Sequence, residues 1–186
     1  MKYVIGITGG VGSGKSIVLD YLKSNHSAAV YQMDEIAKEL KESDDIQSQI
    51  LSAFGTTDPS ELSDVIFSDK NKLELINSII HPAVRKVVDD IVAHAQGLTI
   101  IETALPEEGG LLDYCDEIWY IFADKDSRLK RLQNDRGYTK ERADITMSNQ
   151  LSDAEYESFA DRIIDNTGTP EQTYIQIDNN LKTLGL

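Results

Sequence analysis

A short apolar segment, a glycine-rich loop and a helical pattern open the chain in that order, and this order limits how the chain can fold. Residues 3–7 (Tyr-Val-Ile-Gly-Ile) predict a buried strand, and residues 16–22 predict the first turns of a helix. Residues 9–16, Gly-Gly-Val-Gly-Ser-Gly-Lys-Ser, lie between them and fit G-x-x-x-x-G-K-[ST]. The backbone N–H groups of such a loop, with the helix N-terminus, cradle phosphate groups. The sequence therefore predicts a nucleoside triphosphate site.

We call residues 9–16 the phosphate loop, and each part of it has a predicted task. Lys15 would reach the β- and γ-phosphates, and the Ser16 hydroxyl would ligate Mg²⁺. The expected nucleotide-binding set comprises Gly9, Gly10, Val11, Gly12, Ser13, Gly14, Lys15, Ser16 and Ile17.

Composition excludes several other classes of protein. The formal net charge of −14 over 186 residues argues against nucleic acid as a partner, because phosphate backbones attract basic surfaces. No apolar run approaches the length of a membrane span, and the N-terminal residues do not resemble a signal peptide. The single cysteine, Cys115, excludes an internal disulfide and suits a reducing compartment. We expect a cytoplasmic protein, and a monomer or weak homo-oligomer.

Strand and helix patterns alternate along the chain, which predicts an α/β fold with a parallel sheet and flanking helices. Near-continuous apolar runs favour strands that are covered on both faces. Five strands are expected, at residues 3–7, 28–33, 98–103, 117–123 and 162–165. The region from 34 to 96 has no convincing strand, and apolar residues recur there at helical spacing. His81-Pro82 is expected to separate two helices in that region, because proline disfavours continuation of a helix.

The same pattern predicts three parts with different tasks. Residues 1–33, 97–124 and 151–186 would form the nucleotide-binding core, and residues 34–96 a helical domain for the substrate. Residues 125–150 would form a small helical lid, since residues 125–142 hold seven basic residues, three acidic ones and four of the six arginines. Arginines bind anions with two parallel hydrogen bonds, which favours a lid that faces phosphate. The alternative is a solvated helix that is paired locally with acids.

Four residues beyond the loop are candidates for chemistry. Asp34 follows the second predicted strand, where ligands bind in open α/β sheets, and could accept a proton from an acceptor hydroxyl. It could also cap a helix over residues 35–41. Glu102 is either an outer partner of Mg²⁺ or an ordinary carboxylate at a strand end. His81 could contact a substrate phosphate or end a helix, and Arg85, one turn on, is the better anion ligand.

A small α/β domain with a phosphate loop, a helical insertion and an arginine-rich lid is typical of a small-molecule kinase. The sequence also resembles the dephospho-coenzyme A kinase family over nearly its whole length. The resemblance is carried by Gly6 to Ser16 (Gly-Ile-Thr-Gly-Gly-Val-Gly-Ser-Gly-Lys-Ser), Met33-Asp34-Glu35-Ile36-Ala37, Phe54-Gly55, residues 65–69, Ile80 to Arg85 (Ile-His-Pro-Ala-Val-Arg), Gln150, and residues 160–168.

The resemblance implies transfer of the ATP γ-phosphoryl group to the ribose 3′-hydroxyl of dephospho-coenzyme A with Mg²⁺, on a parallel P-loop kinase sheet. By position it implies Asp34 as the catalytic base and His81 and Arg85 in the substrate-binding region. From the loop, strand and lid patterns we also expect Lys15 and Arg131 to be catalytic, and Ser16 and Glu102 to serve the metal. The substrate residues would be Thr8, Asp34, His81, Arg85, Glu108, Arg128 and Arg136.

The chain departs from the family pattern at three places. Gln32 stands where the family has the first aspartate of Asp-x-Asp, Glu108 is the match left in the segment after the third strand, and the second lid arginine is shifted by one position. Two alternatives therefore stay open. One is a kinase for another nucleotide or small-molecule acceptor, and the other is a nucleotide-binding regulatory module without catalysis.

Overall fold

The computed structural model of the protein describes residues 2–67, 69–106 and 110–186, and the Phe67 side chain lies outside that description. Contacts between Cα atoms divide the chain into two compact units. The first unit comprises residues 1–31 and 95–186 and holds the phosphate loop; the second is Gln32–His94. Glu108, an expected substrate residue, lies outside the described residues.

A five-stranded sheet organises the first unit, as the sequence predicted. Its strands are β1 (Tyr3–Thr8), β2 (Ala29–Gln32), β3 (Leu98–Glu102), β4 (Glu117–Phe122) and β5 (Arg162–Asp165). They lie in the order β2-β3-β1-β4-β5, and β1 pairs in parallel with β3 and β4, as does β4 with β5. Parallel strands place their carboxyl ends at one edge of the sheet, so the residues after β1, β3, β4 and β5 meet there.

The helices of this unit connect the strands and cover the sheet. Within the described residues they include α1 (Lys15–Asn25), α6 (Leu111–Tyr114), α7 (Lys125–Arg136), α8 (Lys140–Ser148), α9 (Asp153–Phe159) and α10 (Pro170–Leu184). Val18 and Leu22 of α1 and Ile177 of α10 pack with Ile5 and Trp119 of the strands in one buried core. The near-continuous apolar strands are thus covered on both faces, which is the condition that their sequences indicated.

A local sequence pattern sets the start of α9. Ser152 caps α9, and its hydroxyl accepts the Glu155 N–H while the Glu155 carboxylate accepts the Ser152 N–H. This reciprocal pair is the capping box that Ser-x-x-Glu predicts. The Thr139 hydroxyl caps α8 by accepting the Arg142 N–H at 3.2 Å.

The second unit consists of helices α2 (Met33–Lys41), α3 (Asp44–Phe54), α4 (Pro59–Phe67) and α5 (Lys70–His94). The expected break at His81-Pro82 is wrong, because α5 runs through Pro82 without ending. Ile76, Ile80, Val84 and Val88 are buried at four-residue spacing on both sides of the proline. Burial of this continuous stripe outweighs the hydrogen bond that the proline removes, at a cost of about 3 kcal/mol in an isolated helix.

The predicted start of α2 is also wrong by two residues. The helix begins at Met33, directly after β2, and Gln32 occupies the cap position in extended conformation. Met33 is buried, whereas Asp34 and Glu35 are exposed in the first turn, where carboxylates interact favourably with the helix dipole. Asp34 therefore does not cap this helix.

No helix within the described ranges has the length and apolar character that crossing a bilayer requires. The Cys115 thiol is largely buried, and this burial raises its pKa to about 12, so the thiol stays protonated at neutral pH. Reactive cysteines are thiolates, so this state indicates a packing role for Cys115.

An ion pair fixes β5 against β4. The Arg162 Nε donates to Glu117 Oε2 at 2.6 Å and its Nη2 to Glu117 Oε1 at 2.9 Å, while Trp119 Nε1 also donates to Glu117 Oε2. The guanidinium hydrogen bonds hold the pKa of the Glu117 carboxyl below its usual value. Because the folded pKa is lower than the unfolded one, the carboxylate stabilises the fold at neutral pH and loses that contribution in acid.

Glu117→Gln should lower the free energy of unfolding at pH 7 by about 1–3 kcal/mol, because a charge-assisted bidentate pair becomes neutral. The difference between wild type and variant should stay constant down to about pH 5 and shrink toward about pH 3.5, below the unfolded glutamate pKa. Urea unfolding at several pH values measures it. A difference that does not change with pH would contradict this account of the pair.

Candidate nucleotide-binding site

The phosphate loop lies at the carboxyl end of β1 and leads directly into α1. β1 is the central strand of the sheet, and the Thr103 N–H after β3 donates to the Ile7 carbonyl at 3.1 Å. The loop is therefore bordered by the ends of β3 and β4, at the edge where open α/β sheets bind ligands.

Lys15 lies across the loop. Its Nζ donates to the Gly9 carbonyl at 2.7 Å and lies 3.6 Å from Glu102 Oε1 at the end of β3. The Glu102 residue is 7% exposed, so a carboxylate and an ammonium face each other in a largely enclosed place. The structure thus brings together three residues that the sequence assigned to nucleotide and metal.

Two glycines are required by the shape of the loop. Gly14 has a φ of +89°, in the left-handed region, and a Cβ there would collide with Asn166 Nδ2. Gly9 has a φ of +148°, and its Cβ would lie 2.6 Å from the Ile121 carbonyl oxygen. Only glycine combines such backbone angles with such close neighbours.

The first two arginines of α7 hold the loop from outside. Arg128 is 8% exposed, and its Nε donates to the Val11 carbonyl at 2.9 Å. Arg131 donates through Nη1 to the carbonyls of Gly12 (3.3 Å) and Ser13 (3.1 Å). These bonds place both guanidinium groups directly against the loop, in the same unit as the loop and not in a separate part of the chain.

Arg136, the third expected ligand from α7, is exposed at the last residue of that helix. A guanidinium carries five N–H groups, so the bonds of Arg128 and Arg131 to the loop do not exhaust their donors. Contact of the three arginines with phosphate or substrate stays a prediction.

Two further side chains contact the loop, and sequence reasoning gave neither a role. Gln150 Oε1 accepts the Val11 N–H at 2.7 Å and the Arg128 Nη2 at 3.2 Å. Asn166, the residue after β5, donates from Nδ2 to the Ser13 carbonyl at 2.7 Å. Gln150 and residues 160–168 carry part of the resemblance to the family, but both residues are far from the loop in the chain, so the pattern gave them no role at the loop.

Two hydroxyl oxygens beside the loop need a partner. Thr8 Oγ1 and Ser13 Oγ are buried, and neither has a hydrogen-bond partner in the described part of the chain. Nearly all buried hydroxyls in proteins are hydrogen-bonded, so these two mark a place where a bound ligand or water completes the site. Thr8 was expected to contact substrate, and that contact stays a prediction.

The candidate metal residues have suitable chemistry. Ser16 is exposed at the second residue of α1, and Glu102 ends β3 beside Lys15. Mg²⁺ in nucleotide sites takes oxygen ligands, typically one or two from protein and the rest from phosphates and water. A hydroxyl and a carboxylate at the loop fit that requirement.

The remaining candidates belong to the second unit. Asp34 is exposed in the first turn of α2, His81 is half-buried on α5, and Arg85 is exposed four residues further along. Residues four apart lie on the same face of a helix, so His81 and Arg85 are neighbours. α2 packs against α5 within this unit.

A parallel sheet whose central strand leads into a G-x-x-x-x-G-K-S loop, with a lysine across that loop, defines a P-loop nucleotide-binding domain of the kinase type. The family model "CoaE: Dephospho-CoA kinase" matches residues 3–172. The chain belongs to the dephospho-CoA kinase family.

Individual relatives agree with this assignment. The chain is 32% identical to dephospho-CoA kinase of Fusobacterium nucleatum, over 97% of this chain and 98% of the relative. It is 33% identical to that of Oceanobacillus iheyensis, over 98% of each.

Solved structures share the fold. A Thermus thermophilus protein, TT1252, has a TM-score of 0.83 at 26% identity, over 98% of both chains. Dephospho-CoA kinase from Campylobacter jejuni has a TM-score of 0.73 at 20% identity over both full chains, which shows the fold alone.

Gly14→Ala should weaken ATP binding by at least tenfold, because a Cβ there strains the backbone and displaces Asn166 from the loop. Gly137→Ala is the matched control: Gly137 has a φ of +64°, but a Cβ there would meet nothing within 4 Å. The control should lose stability by about 1 kcal/mol and keep its ATP affinity. Calorimetric titration measures the ATP affinity of each variant, and thermal unfolding measures its stability. Equal ATP affinities for the two variants would contradict the proposed collision.

Proposed function

We propose that this protein transfers the γ-phosphoryl group of ATP to the ribose 3′-hydroxyl of dephospho-coenzyme A, the last step of coenzyme A synthesis. The observation that carries the proposal is Lys15, which lies over a complete phosphate loop between Gly9 and Glu102 in a chain of this family. Among the described residues, no structural feature favours the regulatory alternative, a binder without chemistry.

The loop and Lys15 bind and orient the triphosphate. Backbone N–H groups of the loop face the phosphate oxygens, and the positive N-terminus of α1 adds to their effect. The Lys15 ammonium would contact the β- and γ-phosphates. It would offset the negative charge that develops as the bond to the γ-phosphorus breaks. Arg131 is the proposed second cation for that charge, from a position already against the loop.

Mg²⁺ is the proposed metal. Ser16 would hold it directly and Glu102 through a water, and the bound ion would neutralise charge on the phosphates. Both residues lie in the first unit with the loop.

Asp34 is the proposed base. In the transfer, the acceptor oxygen forms a bond to the γ-phosphorus while the bond between that phosphorus and the β,γ-bridging oxygen breaks. The electron pair leaves with ADP, and the hydroxyl proton goes to the Asp34 carboxylate. The proposed substrate contacts are His81, Arg85, Thr8, Glu108, Arg128 and Arg136. The arginines would bind the phosphate groups of the substrate.

We further propose that the protein works in the cytoplasm as a monomer or weak homo-oligomer, with residues 34–96 as substrate domain and 125–150 as lid. A second acceptor stays a candidate because Gln32, the cap residue of α2, stands two residues before Asp34 in place of an acidic residue of the family. Neutral Gln32 would alter the charge near the acceptor hydroxyl.

The proposal is tested by an acceptor panel. Purified protein with Mg²⁺-ATP is given dephospho-coenzyme A, AMP, shikimate or no acceptor, and products are separated by mass-resolved chromatography. We expect stoichiometric ADP and coenzyme A with the first acceptor, and little ADP without one. Faster transfer to another acceptor would favour the second candidate, and ATP binding without any transfer would refute kinase activity.

Asp34→Asn should lower kcat about a hundred- to ten-thousandfold, which is the usual contribution of a general base, while ATP affinity stays the same. Asp44→Asn is the matched control, since Asp44 is also an exposed aspartate in the first turn of a helix of the same unit. Steady-state kinetics and calorimetry give both quantities. Full activity of Asp34→Asn would remove this residue from the mechanism.

Lys15→Ala should raise the dissociation constant for ATP about a hundredfold, because it removes a charge-assisted contact with the phosphates. Lys23→Ala, an exposed lysine near the end of the same helix, should leave that constant unchanged. If calorimetry finds the same affinity for both variants, the assignment of Lys15 is wrong.

A further inference from the structure

Asn166 connects the phosphate loop to helix α10. It is 1% exposed and follows β5, and its side-chain amide has a partner at each end. Nδ2 donates to the Ser13 carbonyl at 2.7 Å, and Oδ1 accepts the Thr173 hydroxyl of α10 at 2.8 Å. The two bonds fix which end of the amide faces the loop.

The backbone of Asn166 is held as firmly as its side chain. Its N–H donates to the Phe122 carbonyl at 2.8 Å, which ties it to the end of β4. Its carbonyl accepts Arg131 Nη2 at 2.6 Å, and Arg131 Nη1 also reaches the Ser13 carbonyl at 3.1 Å. One carbonyl of the loop thus accepts two donors from residues that are bonded to each other.

The direction of that carbonyl determines the direction of the next N–H. In a trans peptide unit the C=O of one residue and the N–H of the following residue point in opposite directions. The donors on the Ser13 carbonyl lie outside the loop, so the Gly14 N–H points away from them. The Arg128 bond to the Val11 carbonyl turns the Gly12 N–H by the same geometry.

We propose that Asn166 is a positioning residue for the nucleotide: by holding the Ser13 carbonyl outward, it aims the Gly14 N–H at the phosphate oxygens. The proposal rests on the proposed function only for the identity of the nucleotide. Asn166 touches no phosphate in this role; it sets the direction of a group that does. The bulk of its amide also explains why residue 14 must be glycine, since a Cβ there would collide with Nδ2.

Two variants test whether the Asn166 Nδ2 donor to the Ser13 carbonyl, and not another property of the side chain, accounts for the effect. Asn166→Leu removes both hydrogen bonds and keeps the branching of the side chain at Cγ, whereas Asn166→Asp keeps an acceptor for Thr173 and loses the donor to Ser13. Both should raise the dissociation constant for ATP about tenfold in the absence of any acceptor, because one hydrogen bond that orients a ligand group is lost. The KM for ATP should rise while kcat changes less than about twofold, as expected for lost uniform binding.

Asn180→Leu is the control for general loosening of the fold. Asn180 lies on α10, and its Oδ1 accepts a hydrogen bond from Arg162 Nη1 at 3.2 Å. This bond does not involve the phosphate loop. Asn180→Leu should bind ATP as the wild type does, even where its loss of thermal stability is comparable to that of Asn166→Leu.

Two outcomes overturn the proposal. One is wild-type affinity in Asn166→Leu, in which case any loss in Asn166→Asp would come from the added charge. The other is an equal loss in Asn180→Leu. Because only ATP binding is measured first, failure of the proposed acceptor chemistry leaves this test intact. Wild-type protein that does not bind ATP would instead refute the proposed function itself.

Discussion

The rest of the site depends on the fixed direction of the peptide units in the phosphate loop. A loop of four glycines has little conformational preference of its own, and ordering each residue costs about 1–2 kcal/mol of backbone entropy. In this protein the carbonyls of Val11, Gly12 and Ser13 are bonded by side chains from α7 and from the end of β5. The protein's own side chains thus supply the order that the loop sequence lacks.

This arrangement explains why arginines are concentrated in α7 of an acidic chain. A guanidinium has several donors in a rigid fork, so Arg131 can bond two loop carbonyls and the Asn166 carbonyl at once. A lysine could not connect the same three oxygens with fixed geometry. The positive charge on these side chains lies directly beside the loop, so we propose that one set of residues both shapes the loop and attracts the triphosphate.

The sequence was informative where function and local structure use the same residues. The strand–loop–helix motif predicted the loop, Lys15 and the central strand, and apolar strands predicted the parallel sheet. The prediction at Pro82 was wrong. The local rule that proline ends a helix did not hold, because burial of Ile80 and Val84 favours a continuous helix there. The loop contacts of Asn166 and Gln150 could not be predicted, because each joins residues more than a hundred positions apart through a side-chain amide.

The most direct test of a loop that is ordered in advance is the backbone mobility of Gly12 and Gly14 in nucleotide-free protein, measured as ¹⁵N order parameters. Our account predicts values of about 0.85, the same as in β1 and α1, because donors from α7 and β5 already hold the loop. Values below about 0.6 that rise only when ATP is added would contradict it, and would mean that the phosphates themselves order the loop.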